Sequence, residues 1–245
     1  MNNYLLTLMY DGSAYHGWQV QDNAVTVQGT LQDAVERIIG VRESVTGCSR
    51  TDSGVHANAF CCNMRSEKKL DESTFRRSLN AVLPDDIAVT DVKRVAEDFH
   101  ARYDCVSKEY KYLIFNKDYK NPFYVNKALF YPYKIDVELL NREAQSFLGT
   151  HDFSAFCAAA SDVEDKTRTV KSVSVKRNGD FVEFSIEADG FLYNMVRIIV
   201  GTLLDINSGK IEKGKIPEII ADKDRSQAGV TAKACGLYLN RVNYK

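Results

Sequence analysis

Apolar and polar positions alternate from Tyr4 to Tyr10, which places every second side chain on one face and predicts a strand. A polar loop, Asp11 to Gln19, follows and carries the only tryptophan, Trp18, whose ring is expected to anchor that loop on the core. The spacing then becomes helical. Val27, Leu31, Val35 and Ile38/Ile39 form one apolar stripe, with Thr26 as the N-cap and Gly40 closing the helix. A β-branched run at Val45-Thr46 and an apolar run from Ala57 to Met64 predict two strands around a polar loop. Asp71 caps a second helix, Glu72 to Val82, which Leu83-Pro84 ends, and Ile87 to Val95 is a further strand. Strand, helix, strand, strand, helix, strand is the order of a ferredoxin-like, split β-α-β fold, an antiparallel sheet with helices on one face.

The same order starts again after Tyr103. Val106 to Phe115 is a strand, and Asp136 caps a helix from Val137 to about Leu148. Thr169 to Arg177 and Phe181 to Ala188 form a hairpin around Asn178-Gly179-Asp180. Phe191 to Ile206 reads as a strongly apolar helix, and Leu237 to Tyr244 as a last strand. Between them, Lys210 to Lys233 carries a short helix, Ile216 to Ala221. No repeat is visible residue by residue, so the duplication rests on element order. The expectation is an α+β protein of two ferredoxin-like halves with a cleft between them. The N-terminal domain would be residues 1–104 and the C-terminal domain residues 105–245.

Composition narrows the class without naming a partner. In 245 residues, 44% hydrophobic and 27% charged, the balance is that of a globular protein. No apolar run is long enough to span a bilayer, and Met1-Asn2-Asn3 opens no signal sequence, so a cytoplasmic protein with no membrane partner is expected. Six cysteines without Cys-x-x-Cys spacing and four scattered histidines suggest reduced thiols and no metal site. A net charge of −1 leaves nucleic acid open, because affinity for phosphates depends on local positive surface.

The densest chemistry is Gly47 to Ala57, Gly-Cys-Ser-Arg-Thr-Asp-Ser-Gly-Val-His-Ala, in the loop between two predicted strands. Asp-Ser-Gly is an ordinary turn signature. The same loop can also present Asp52 as an ionised carboxylate with the Arg50 cation nearby, fit to act as nucleophile or general base. Two further stretches stand out. Arg102 to Lys134 interleaves tyrosines with lysines, among them Lys108, Tyr110 and Lys111, as in surfaces that stack unpaired bases and contact phosphates, or simply as in an exposed β-rich surface. Arg197 interrupts the apolar run Phe191 to Val200 and must either snorkel or find a carboxylate.

Arg50-Thr51-Asp52-Ser53-Gly54-Val55-His56-Ala57 resembles the signature loop of the tRNA pseudouridine synthase A family. The resemblance extends to Tyr15 with Gly17-Trp18-Gln19, Thr26-Val27-Gln28, Phe99 to Tyr103, Ser107 to Tyr112, Arg168-Thr169, Asp189 to Gly201 and Ala234 to Tyr238. Ser49, Asp189 and Lys233 stand where the family more often has Gly, Asn and Pro. The resemblance implies an isomerase that converts uridine to pseudouridine at positions 38, 39 and 40 of the tRNA anticodon stem-loop. It implies no cofactor, no metal and a homodimer that grips tRNA. Carried onto this sequence, it makes Asp52 the catalytic nucleophile, Tyr110 the tyrosine packed on the target base and Arg197 the partner of Asp52 in a salt bridge. Arg50 is the candidate to fill the gap left by the extruded base, with Lys108 and Lys111 as further substrate-binding residues. Two rival readings of the residues are a non-catalytic RNA-binding protein on the same scaffold and a hydrolase cleaving a nucleoside bond. The second would ordinarily need another carboxylate, and none stands out beside the loop.

Overall fold

The computed structural model describes residues 1–159, 161 and 163–245. Among the described residues, ten strands and five α-helices follow one another as β1 (Asn2–Tyr10), α1 (Val27–Ile39), β2 (Val45–Gly47), β3 (His56–Ser66), α2 (Glu72–Val82), β4 (Ile87–Val95), β5 (Cys105–Phe115), β6 (Leu129–Phe130), α3 (Val137–Ala144), β7 (Gly149–Asp152), β8 (Thr167–Asn178), β9 (Phe181–Ala188), α4 (Met195–Asn207), α5 (Ile216–Asp222) and β10 (Leu237–Tyr244). They form two compact units. One comprises Met1–Val106 with Tyr238–Lys245, and the other Ser107–Leu237, so the division falls within β5.

In the first unit β1 lies between β4 and β3, antiparallel to both. β2 pairs antiparallel with one end of β3, at Cys62 to Met64, and β10 runs parallel to its other end, at His56 and Ala57. The order β4-β1-β3-β2 is that of a split β-α-β sheet. Its core is made by the alternating positions of β1 and β3 (Leu6, Leu8, Phe60 and Met64) against Leu31 and Val35 of α1 and Leu79 of α2, all fully buried. Thr26 caps α1 through its side chain, Gly40 closes that helix at φ 75°, and Asp71 caps α2 by accepting from the Thr74 amide at 2.8 Å. The three hydrogen bonds accepted by the Asp71 carboxyl from Thr74 and Ser73 hold its pKa down at about 2.

In the second unit β9 lies between β5 and β8, antiparallel to both, and β7 extends the sheet beyond β8. The order β5-β9-β8 with α3 and α4 repeats that of β1-β3-β2 with α1 and α2. The short strands β6 and β7 were not legible as periodic runs, being two and four residues long.

Two helix boundaries differ from expectation. The helix after Asp136 leaves α geometry at Ala144 and ends in a 3-10 turn, Gln145–Phe147. The apolar helix starts at Met195 rather than Phe191, because Asn194 takes the left-handed conformation at φ 61° and the Met195 amide closes a turn on the Leu192 carbonyl. One side of α4 is covered by the irregular segment 228–232, which approaches it closely at Gly201 and Thr202. There the Gly229 amide donates to the Thr202 hydroxyl at 2.9 Å and the Ala232 amide to the Arg197 carbonyl at 3.0 Å.

The Thr26 hydroxyl accepts from the Gly29 amide at 3.3 Å. Thr26→Ala is therefore expected to lower unfolding free energy by about 1 kcal/mol, read as a fall in urea midpoint at unchanged slope.

Candidate active-site elements

The loop carrying Asp52 is shaped by the loop before it in space, residues 11–19. Trp18 is buried with its ring stacked on Phe60 at a centroid distance of 4.1 Å, and its amide donates to the Thr51 carbonyl at 3.1 Å. The carbonyls of Gly17 and Trp18 take the amides of Val27 and Gln28, two of the first donors of α1, which otherwise have no helical acceptor. Gln28 completes the tie. Its side chain accepts from the Val20 amide at 3.0 Å and donates to the Val45 carbonyl at 2.8 Å, joining loop, helix and β2. Gly17 stands at φ 86°, and a Cβ there would lie 2.5 Å from the Thr51 carbonyl oxygen. A Cβ on Gly47 would lie 2.5 Å from the indole nitrogen of Trp18 and 2.9 Å from Phe60.

On the loop itself Thr51 is buried and shares a 2.8 Å hydrogen bond with the Tyr10 hydroxyl. The Asp52 carbonyl accepts from the Val55 amide at 3.1 Å, closing a turn whose tip is Ser53-Gly54, with Gly54 at φ 76°. Asp52 is half-buried at the mouth of this turn, and Arg50 is exposed. Ser49 does not adopt positive φ, so a serine there costs the loop no strain. His56 begins β3 fully buried, stacked on Tyr238 at 4.6 Å. Its Nδ1 accepts from the Gly12 amide at 3.1 Å and lies 3.0 Å from an Asp11 carboxyl oxygen. The Asp-Ser-Gly turn and the presentation of a carboxylate are thus both features of one loop.

In the second unit the residues of interest sit on β5 and at the start of α4. Side chains of β5 alternate between two faces, and each shares its face with the residue directly opposite on β9. Lys108, Tyr110 and Tyr112 face the side of Ala188, Ile186 and Phe184, whereas Ser107, Glu109 and Lys111 face the side of Glu187, Ser185 and Glu183. Tyr110 is buried and meets Phe191 edge-on at 4.9 Å. Tyr112 donates its hydroxyl to the Lys233 carbonyl at 2.7 Å, and burial pushes its pKa far up. Lys111 is spent on the opposite face, in an ion pair with Glu183 at 3.0 Å. The fold therefore groups Lys108 with Tyr110 and separates Lys111 from them. The rest of the tyrosine-lysine stretch divides similarly, with Tyr103, Tyr119 and Tyr133 exposed while Tyr110 and Tyr112 are buried.

Arg197 is half-buried in the first turn of α4. Its Nε donates to the Ala232 carbonyl at 2.8 Å and its Nη1 to the Asn194 side-chain oxygen at 2.6 Å, so the guanidinium is held in one orientation. Asp189 serves the backbone. Its carboxyl accepts from the Thr169 amide at 3.0 Å beside the bulge between β8 and β9, a bond that an asparagine oxygen could equally accept. Sequence reading singled out neither Asp86, which anchors Tyr15, nor the pairing of His56 with Asp11. His56 and Tyr15 stood in the quoted motifs, but their partners are distant in sequence and no local pattern marks them. Among the described residues, no group of three or more His, Cys, Asp or Glu is arranged to hold a metal ion, and no helix is long and apolar enough to cross a membrane.

A family model described as tRNA pseudouridine synthase matches residues 7–104 and 144–245. The chain is 44% identical over 244 residues to a protein named tRNA pseudouridine synthase A from Thermoanaerobacter sp. and 45% identical over 244 residues to one from Acetivibrio thermocellus. Both matches cover 100% of this chain and 100% of the relative. A relative of the same name from Clostridium kluyveri is 42% identical over 246 residues. The crystal structure of a Cbf5-Nop10-Gar1 complex aligns at a TM-score of 0.38 with 11% identity, over 96% of this chain and 57% of that one, a likeness too slight to argue from.

Because Trp18 is the sole tryptophan, its fluorescence reports on the packing behind the Asp52 loop. Gly47→Ala is expected to drive the indole off Phe60, shifting its emission to the red and costing about 1–3 kcal/mol in urea unfolding. Unchanged emission would mean that the ring does not rest on Gly47.

Proposed function

We propose that this chain, which belongs to the tRNA pseudouridine synthase A family of isomerases, converts uridine to pseudouridine at positions 38, 39 and 40 of the tRNA anticodon stem-loop, with Asp52 as the catalytic carboxylate. The observation that carries this reading is full-length identity of 44–45% to relatives so named, with the Arg-Thr-Asp loop intact and built as a braced turn. Isomerisation breaks the N-glycosidic bond, turns the uracil and joins C5 to C1′ with loss of the C5 proton. Nothing in that balance calls for an oxidant, a reductant or a second substrate.

Asp52 initiates the reaction, by adding to the base or by assisting departure at C1′. The target uridine must leave its stack to reach it. Tyr110, rigidly packed and rooted in β5, offers a flat face against the extruded base. Arg50, exposed on the Asp52 loop, fills the space the base vacates. Arg197, aimed by Asn194 and Ala232, is the cation that favours the ionised form of Asp52. Lys108 contacts the RNA from the Tyr110 face. Lys111 contributes to RNA binding through the charge of the opposite face, where Glu183 already neutralises much of it. The protein acts in the cytoplasm as a homodimer whose joint surface grips tRNA.

Tritium release from tRNA transcripts carrying C5-tritiated uridine tests the reaction and its key residue together. Wild type is expected to release tritium, and Asp52→Asn to lose ~10³-fold or more of that rate while still binding tRNA. Sequencing of the product would locate the modified positions. Release that persisted in the mutant would keep the reaction and remove Asp52 from its role; tRNA binding by a wild type that released nothing would leave an RNA-binding protein.

A further inference from the structure

Tyr15 sits behind the turn that carries Asp52. Its ring is buried, and its hydroxyl donates to Asp86 Oδ1 at 2.5 Å, with the Thr30 side chain as a second hydrogen-bond partner. Its main-chain carbonyl accepts from the Gly54 amide at 3.3 Å and from the Ser53 hydroxyl at 3.2 Å. Ser53 and Gly54 are the two residues after Asp52. Asp86, immediately before β4, is itself fixed in the first unit, since its carbonyl accepts the Asp11 amide at 2.9 Å. Burial first, and the neighbouring Asp86 carboxylate second, push the phenol's pKa well above its ordinary value, so at neutral pH it remains a donor.

We propose that Tyr15 is a positioning residue for Asp52, its phenol anchored on Asp86 and its carbonyl holding the Ser53-Gly54 turn. The inference rests on the assignment of Asp52 as the catalytic carboxylate. The turn has one firm support on each side. Thr51 is held from Tyr10 and Trp18, and Ser53-Gly54 from Tyr15 alone among the hydrogen bonds described here. Releasing the phenol leaves the ring in its pocket and the first support intact, but frees the peptide that fixes the second. A carboxylate allowed to drift by a fraction of an ångström loses rate rather than affinity, because reaction depends on orientation far more steeply than binding does.

Four variants test this: Tyr15→Phe, Asp86→Ala, the pair together, and Asp86→Asn. Tyr15→Phe and Asp86→Ala are each expected to lower kcat for tRNA about tenfold with KM within about twofold of wild type. The double variant should lose about what Tyr15→Phe loses alone, because that substitution already removes the bond to Asp86 along with the phenol's contact with Thr30. Asp86→Asn should largely restore kcat, since an amide oxygen accepts the same phenol hydrogen. The loop is read independently by amide hydrogen exchange, where Tyr15→Phe should accelerate exchange at Gly54 and leave the amides of β3 protected. Unchanged exchange at Gly54 would overturn the anchoring whether or not the protein is active. Faster exchange with unchanged kcat, or losses that add in the double variant, would reduce Tyr15 to a structural anchor. If wild type released no tritium while exchange responded as expected, the catalytic assignment of Asp52 would fail and the positioning role would fall with it, leaving only the anchor.

Discussion

The hydrogen bond from the Trp18 amide to the Thr51 carbonyl, under an indole stacked on Phe60, is the constraint on which the first unit's chemistry depends. It joins two polar loops that lie more than thirty residues apart in sequence and contain no strand or α-helix, and it works together with the Tyr10–Thr51 bond and the bonds from Ser53 and Gly54 to the Tyr15 carbonyl. Its consequences spread in both directions. The same loop lends its Gly17 and Trp18 carbonyls to the exposed amides of α1, so the helix start and the Asp52 loop share one framework. The Asp52 carboxylate is carried on a turn hung on helix, strand and aromatic stack, which leaves it few ways to move.

The second unit solves a different problem, that of keeping a charge on a helix with almost no exposed face. Every residue of α4 from Met195 to Ile206 except Arg197 is buried. A half-buried guanidinium needs hydrogen-bond acceptors, and two of them are supplied locally. The left-handed Asn194 that delays the helix turns its side-chain oxygen to Nη1, and the segment 228–232 supplies a carbonyl to Nε. The delayed start is therefore the device that orients the arginine.

How much of this was legible in the sequence follows from how local each cause is. The three N-caps, Thr26, Asp71 and Asp136, and the period of β1, β3, β4 and β5 act over a few residues, and those helix starts and strands form where the pattern put them. The anchor role of Trp18 was also readable, since a lone indole in a polar loop needs somewhere to bury its ring. Asn194 was not, because an apolar run from Phe191 looks helical until one residue's dihedral breaks it. The face of Lys111 follows from strand alternation alone, yet its ion pair with Glu183 depends on the register of β5 against β9, which no local pattern reports. Tyr15 with Asp86 lies at the far end of the same scale. The two are 71 residues apart in sequence and meet only because β4 and the exit of β1 are neighbours in the sheet.

Strand alternation also bears on how a chain of net charge −1 can hold a polyanion. On β5 and β9 the two faces are chemically distinct. One is apolar apart from Lys108 beside Tyr110, and the other is polar, with Lys111 paired to Glu183 and the Ser107 hydroxyl donating to Glu187. Charges paired in this way contribute little to attraction at a distance, because each cation's field is offset by a carboxylate about 3 Å away. Attraction for phosphate must then come from cations without such a neighbour. Lys108 and Arg50 are of that kind, since neither has an ion pair among the described residues, and each lies close in sequence to a residue assigned to the chemistry, Tyr110 for one and Asp52 for the other. A near-neutral total is compatible with RNA recognition, because binding to phosphates depends on cations left without a carboxylate neighbour and not on the net charge of the whole chain.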